Sequence, residues 1–261
     1  MREWRQMPNS AFDPDRQHDL ADNFRRDGYL VLPDMLESER AASLLQHLYD
    51  LYPGYVGGDL PYDIKSVGDR RFNAPIRFEP PFECPDFLTN PLLDALLSEI
   101  LGDDYVVEAF GVISALPGAE LQRVHRDGGP LFPEAGFDGI LPPSAITVIL
   151  PLGDMDEHTG CTRFWAGSQR NEFIDETRPS VTPEIGAGSF ALWDFRTYHR
   201  GLANTSDHAR PLLYFTACRP FWMDHRNFEK GRNARLLASR ASIGRLEEKA
   251  AARFVRAEFI D

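Results

Sequence analysis

Within the segment 121–132, LQRVHRDGGPLF, a histidine and an aspartate stand two residues apart, His125 and Asp127, just before a Gly128-Gly129-Pro130 turn. On an extended chain, side chains at i and i+2 leave by the same face, so imidazole and carboxylate can converge on one point. That pairing suits a divalent iron, manganese or zinc ion. HxD alone is a weak signal, and a charged pair beside a turn is its ordinary explanation. The rest of the chain strengthens it. His199 follows Asp127 by 72 residues, at the end of FALWDFRTYH, and Arg210 follows His199 by 11, at the head of another apolar run. Two histidines and one carboxylate on one face of an octahedral metal leave positions open for substrates, whereas a structural site is closed. A guanidinium nearby can grip a carboxylate through two parallel hydrogen bonds, which a lysine cannot copy.

The elements that must carry these residues follow from pattern. Leu20 and Phe24 sit four apart with Gly28 to close a helix, and Ser38 can cap a second one striped by Leu44, Leu45, Leu48, Leu51 and Tyr52. Between them GYLVLPD reads as a short strand. A third helix is expected from Pro91, behind Thr89 and Asn90, to Gly102. From Tyr105 the runs YVVEAFGVISAL, AITVILPL, CTRFWAG, GSFALWDF and PLLYFTACRPFW, separated by Gly, Pro and acidic turns, read as a mostly antiparallel β unit. Residues 53–82 read as one long irregular stretch, a candidate lid. Arg70, Arg71 and Arg77 lie there among Phe72, Phe78 and Phe82. Residues 223–261 are expected to be helical, with Leu246, Ala250 and Phe254 recurring every four.

The ordered set HxD, DEHTGCTRFWAGS and WDFRTYHRGLANTSDHARP resembles the phytanoyl-CoA dioxygenase family of iron(II) and 2-oxoglutarate dependent oxygenases, and FRRDGYLVLPDML is similar to that family's start. The resemblance runs through nearly the whole chain. It implies a double-stranded β-helix, a jelly-roll core at 104–222 with helices packed outside, in one domain spanning 1–261. It also implies His125, Asp127 and His199 as iron ligands and Arg210 as the partner of the distal carboxylate of 2-oxoglutarate. Gln122 and Thr162 correspond to residues that contact the cosubstrate in some members. The implied chemistry couples O2 and decarboxylation of 2-oxoglutarate to oxidation of a small-molecule C–H bond, as in secondary metabolism. Related halogenases replace the carboxylate ligand with a small residue. Asp127 is kept here, which disfavours halogenation and leaves hydroxylation, desaturation, epimerisation and rearrangement open.

Other tempting residues have plainer readings. His158 is a rival ligand only on paper, since it lies in a turn-like stretch with Asp154, Asp156 and Glu157. Trp165, Trp193 and Trp222 read as core or pocket wall, Asp194 and Arg196 as a salt bridge, Cys161 and Cys218 as small buried hydrophobes. A net charge of -12 opposes nucleic-acid binding. Three cysteines without CxxC spacing, no leader-like opening and no transmembrane-length run suggest a cytoplasmic protein with no membrane partner. A homodimer is left open, and Asn204-Thr205-Ser206 reads as a chance sequon. Two other classes remain: a jelly-roll binding protein without turnover, and a zinc or manganese hydrolase or isomerase.

Overall fold

The computed structural model describes residues 14–60, 64–132, 135–225, 227 and 235–260. The chain's opening, residues 61–63 of the expected lid and most of 226–234 lie outside them. In chain order the strands are β1 (Tyr29–Leu32), β2 (Lys65–Gly68), β3 (Arg71–Pro75), β4 (Arg77–Phe78), β5 (Val106–Ala115), β6 (Ala145–Pro151), β7 (Thr162–Phe164), β8 (Phe190–Asp194), β9 (His199–Gly201), β10 (Arg210–Cys218), β11 (Leu237–Ala238) and β12 (Glu258–Phe259). A seven-stranded antiparallel sheet runs in the order β1-β8-β6-β10-β5-β3-β2. A smaller sheet pairs β7 with β9, and single bridges extend it to His125 and Val181. This is the expected jelly-roll architecture, with the site between the large and the small sheet.

The large sheet is buried on both faces, which is why β6, β8 and β10 read as unbroken apolar runs rather than as alternation. Along β10, Leu213, Phe215 and Ala217 join the main core, while Arg210, Leu212, Tyr214 and Thr216 line a cavity. Along β6, Val148 and Leu150 face the core, and Thr147 and Ile149 the cavity. Helices α1 (Pro14–Asp27), α2 (Ser38–Leu51), α3 (Pro53–Gly57), α4 (Pro85–Leu88) and α5 (Pro91–Leu101) supply the core's other half. Leu20 and Phe24 of α1, Leu44 and Leu48 of α2, and Leu93 and Leu97 of α5 are all buried there. Phe87 of α4 meets the rings of Phe190 and Phe215 edge-on, each at 5.1 Å.

The helix signals hold with one adjustment. Asn90 caps α5 by accepting from the backbone N–H groups of Leu92 and Leu93, as its position predicts. Ser38 is the first residue of α2 rather than its cap; that position belongs to Glu37, whose side chain makes no capping bond.

Two larger expectations need correction. Residues 53–82 are not one irregular lid: they hold α3, β2, β3 and β4, and β3 and β2 extend the large sheet beyond β5. The sheet therefore recruits strands, β1 included, from outside 104–222. The residues described in 223–261 are only partly helical. They form β11, α6 (Arg240–Gly244), α7 (Glu248–Ala251), a 3-10 turn and β12. Leu237 and Ala238 pair with β4 and β12 in a parallel three-stranded sheet, which forces the chain to double back and breaks the four-residue period. Phe254 is nevertheless buried, its ring 4.7 Å from Phe78.

Cys84, Cys161 and Cys218 are free and buried, and burial pushes Cys161 up to about 11 and Cys218 up to about 12, so neither is a ready nucleophile. Asn204 is buried, donating to the carbonyls of Ala115 and His208, so its sequon offers no acceptor. No helix among the described residues is long and apolar enough to cross a membrane.

Candidate metal centre and anion pocket

The segment before β9 is built residue by residue to deliver His199. Asp194, at the end of β8, accepts from the backbone and guanidinium of Arg196, with Arg196 Nη2 2.6 Å from Asp194 Oδ2. This is the expected salt bridge, and it forms a tight turn. Thr197 donates from Oγ1 to the Gly28 carbonyl at 2.7 Å. Gly28 has φ of 76°, and a Cβ there would lie 2.5 Å from that hydroxyl, so only glycine fits. The Tyr198 N–H donates to Ser168 Oγ. His199 then pairs with His125 through reciprocal backbone bonds, N to O distances of 3.0 and 2.9 Å. His125 thus sits in a single bridge rather than the longer strand its pattern suggests, yet that bridge sets the two imidazoles with centroids 4.4 Å apart.

Each imidazole is fixed by its second nitrogen. His125 Nδ1 lies 2.9 Å from the Arg123 carbonyl and His199 Nδ1 3.0 Å from that of Thr197. A carbonyl only accepts, so Nδ1 carries the hydrogen and Nε2 presents a lone pair. Both Nε2 atoms point at Asp127 Oδ1, at 4.0 Å from His125 and 3.5 Å from His199. These three side chains are the one such set among the described residues, with ligand atoms within 4.8 Å of one another. His158 is not part of it; it is exposed in the loop formed around Asp156.

The other carboxylate oxygen is held by the protein. Thr147 Oγ1 donates to Asp127 Oδ2 at 2.8 Å and Trp193 Nε1 at 2.7 Å. Burial works against charge on Asp127, but His199, His125 and these two donors outweigh it and hold the carboxyl below the usual range. Burial holds His199 below its ordinary value, against the pull of Asp127, so it is neutral and able to ligate near pH 7. With Oδ2 engaged twice, Asp127 offers one oxygen to a metal. Trp193→Phe removes the indole donor while keeping an aromatic ring against Phe164 and His199, and should weaken manganese(II) binding about 10-fold, the lower end for losing an outer-shell partner. Titration calorimetry on metal-free protein measures this, and an unchanged affinity would show that Thr147 alone suffices.

Beyond the triad the cavity, about 560 Å³, holds a second polar cluster. Arg210 is buried at the head of β10; its Nη1 lies 3.7 Å from Met155 Sδ and its Nε has no partner. Arg71 is buried in the same cavity, donating to the Leu202 carbonyl at 2.7 Å, with its Nε likewise unpartnered. Burial, then the proximity of Arg71, push Arg210 down to about 9, and burial pushes Arg71 down to about 10. Two desolvated cations with no carboxylate acceptor among the described residues form a site for an anion. Thr162, on β7, lines this cavity. Gln122 lines it too, but its amide is engaged with protein: Oε1 accepts from Gly201 N–H and Nε2 donates to the Val67 carbonyl at 2.6 Å. A Cβ on Gly201 would meet Arg71 Nη1 at 2.4 Å and Gln122 Oε1 at 2.6 Å, so glycine here gives these side chains room.

Sequence reasoning missed Thr147, left Arg71 as one of three lid arginines that would suit an acidic molecule or pair with the chain's own acid, and gave Trp193 only a wall's role. A signal for Thr147 exists: it is a lone polar residue inside AITVILPL, as Tyr214 and Thr216 are inside PLLYFTAC. In strands buried on both faces, such residues mark the side that meets a site.

The model of the phytanoyl-CoA dioxygenase (PhyH) family matches residues 24–212, which include the triad and Arg210. This chain belongs to the phytanoyl-CoA dioxygenase family. Among curated members it is similar to Dioxygenase ALT11 of Alternaria alternata, 30% identical over 142 residues, covering 50% of this chain and 46% of that one. It is also similar to Dioxygenase FUM3 of Gibberella moniliformis, 26% identical over 214 residues, with 76% and 70% covered. The chain spans under half the length of several curated relatives it matches, ALT11 among them. Among solved structures, the epimerase SnoN in complex with Fe3+, alpha ketoglutarate and nogalamycin RO superposes with a TM-score of 0.62 at 21% identity, covering 85% of this chain and 93% of that one. The carbocyclase SnoK from nogalamycin biosynthesis gives 0.58 at 14%, with 82% and 86% covered. These likenesses establish the shared fold.

Proposed function

We propose that the protein is an iron(II) and 2-oxoglutarate dependent dioxygenase that hydroxylates a C–H bond of a small molecule. The observation that carries this reading is Arg210, buried with its Nε unpartnered and no carboxylate against it among the described residues, in the cavity that holds His125, Asp127 and His199. A facial triad alone serves many metals; a desolvated guanidinium beside it asks for a carboxylate-bearing cosubstrate. Iron(II), when bound, supplies oxygen activation coupled to decarboxylation of 2-oxoglutarate. The balance is one O2, one 2-oxoglutarate and one C–H bond in, with succinate, carbon dioxide and one alcohol out.

The chain's own residues orient and exclude. His125, Asp127 and His199 would hold the metal, which would supply the oxygen-activating chemistry beside the bound cosubstrate. Arg210 grips the distal carboxylate, Arg71 adds a second positive charge, and Thr162 and Gln122 flank the cosubstrate. Ile113, Ile149 and Leu212 make the dry wall that keeps competing water out. Buried free cysteines fit work in a reducing cytoplasm.

A second reading is epimerisation or ring closure, since SnoN is an epimerase and SnoK a carbocyclase and both share this fold. Both outcomes consume 2-oxoglutarate, so one experiment tests the common core. Protein supplied with iron(II), ascorbate and 2-oxoglutarate under air should form succinate, faster with a competent substrate among screened small molecules. Binding of iron and 2-oxoglutarate without succinate under any substrate would establish instead a jelly-roll binding protein. Metal-dependent turnover without oxygen uptake would establish a hydrolase or isomerase.

A further inference from the structure

One strand of the cavity wall is held differently from the others. β2 is the outermost strand of the large sheet, paired on one edge only, with β3, through a register shift between Ser66 and Gly68. Its residues line the cavity, and side-chain ties to described residues on either side of it hold it there. Gln122 Nε2 donates to the Val67 carbonyl, and Lys65 Nζ donates to Asn227 at both the backbone carbonyl, 3.1 Å, and Oδ1, 2.9 Å. Asn227 lies 162 residues from Lys65, beyond the last strand of the large sheet. Its own Nδ2 donates to Asp224 Oδ2 at 2.8 Å and to the backbone carbonyl of Asp127 at 3.0 Å. One asparagine therefore fastens the wall strand to the backbone of the carboxylate ligand.

We propose that Lys65 and Asn227 form a clasp across the substrate side of the cavity: it closes β2 over the site, and through Asn227 it positions Asp127. Asn227 is in this sense a positioning residue, since it reaches the ligand only through the main chain. The inference rests on the triad binding iron, as proposed above. It follows from the distribution of ties. β3 is stitched to β5 along its length, whereas β2 has one paired edge and a clasp made by a long, half-buried lysine. Edge segments with few contacts open at the lowest free energy. A substrate entering beside β2 must part Lys65 from Asn227, and the clasp reforms once it is seated, shutting water out. Because Asn227 also holds the Asp127 carbonyl, parting the clasp loosens the segment that carries the carboxylate.

The test uses the full-length protein loaded anaerobically with iron(II) and 2-oxoglutarate, and follows the rate at which a chromophoric chelator captures the iron. Wild type is compared with Lys65→Met, Lys65→Arg, Asn227→Ala and the Lys65→Met/Asn227→Ala double variant, with thermal unfolding checked for each. Lys65→Met should speed release about 10-fold, the scale on which outer-shell partners tune a metal site. Lys65→Arg should restore near-wild-type release, which a loss of general stability would not do. Asn227→Ala, which also loses the tie to Asp127 but keeps the backbone carbonyl, should be at least as fast as Lys65→Met, and the double variant should fall short of the product of the two single effects, because both changes remove the same side-chain bond. Unchanged release in Lys65→Met, or effects that add in the double variant, would overturn the proposal. A fast Asn227→Ala beside a slow Lys65→Met would also overturn it, leaving Asn227 acting on Asp127 alone. A wild-type protein that holds no iron would overturn the functional reading and the clasp together.

Discussion

Asp127→Ala should abolish metal binding and reduce succinate formation to the protein-free background while leaving the fold intact. Asp127 is the one carboxylate in a set whose other members are neutral imidazoles, and its Oδ1 lies within 4.0 Å of both Nε2 atoms. Without it two neutral nitrogens face a divalent cation in a partly apolar cavity, with no charge to offset the cost of removing the ion from water. The expected loss of affinity exceeds the 10- to 100-fold typical of outer-shell changes. The fold should survive because the large sheet's other face and its helices do not touch this residue, although Thr147 and Trp193 lose an acceptor. Calorimetry with manganese(II) in place of iron reads the binding, and circular dichroism reads the fold. Metal affinity within a few-fold of wild type would show that the ligands lie elsewhere. Asp127→Glu should not restore function, since a longer side chain cannot keep Oδ2 on its two donors and Oδ1 between the histidines.

The second large effect concerns Arg210, and here two measurements should move in opposite directions. In Arg210→Met the affinity for 2-oxoglutarate, measured with metal present, should fall at least about 30-fold, since removing one member of a buried hydrogen-bonded charge pair costs roughly 2 to 5 kcal/mol. Metal binding alone should be unchanged. In the absence of 2-oxoglutarate, the same variant should unfold at an equal or higher temperature than wild type. A guanidinium pushed down to about 9 by burial and by Arg71 disfavours the folded state at neutral pH, and methionine removes that penalty. Arg210→Lys keeps charge but not the planar fork, so it should fall between wild type and methionine in affinity. If Arg210→Met loses stability as well as affinity, the guanidinium is a structural member of the barrel and not a waiting anion site.

What the sequence made readable, and what it hid, divides along physical lines. The metal ligands were legible because HxD and a following histidine and arginine have fixed chemistry, whatever the intervening loops do. Helix α5 was legible because Asn90, Pro91 and Gly102 mark its ends by local rules. β2 and β3 were not, because Gly68, Asn73 and Pro75 interrupt any alternation and the strands exist only by pairing with β5. The 240–254 segment misled in the opposite direction: its four-residue apolar spacing is real, but pairing of β11 and β12 with β4 overrides it. Thr147 and Trp193 act on Asp127 from 20 and 66 residues away, contacts no local pattern encodes.

The double burial of the large sheet carries an evolutionary corollary. Neighbouring residues on one strand answer to separate pressures: Tyr214 and Thr216 meet the ligand space, while Leu213 and Phe215 hold the helices. Alternate positions on β5, β6 and β10 can therefore reshape the ligand space without touching the helix-facing core, a modular partition written at single-residue resolution. A combinatorial library at Ile113, Ile149, Leu212, Tyr214 and Thr216 would sample specificity, with volume-conserving changes favoured at Ile149, Leu212 and Tyr214, which pack in a second apolar cluster with Phe164 and Trp193.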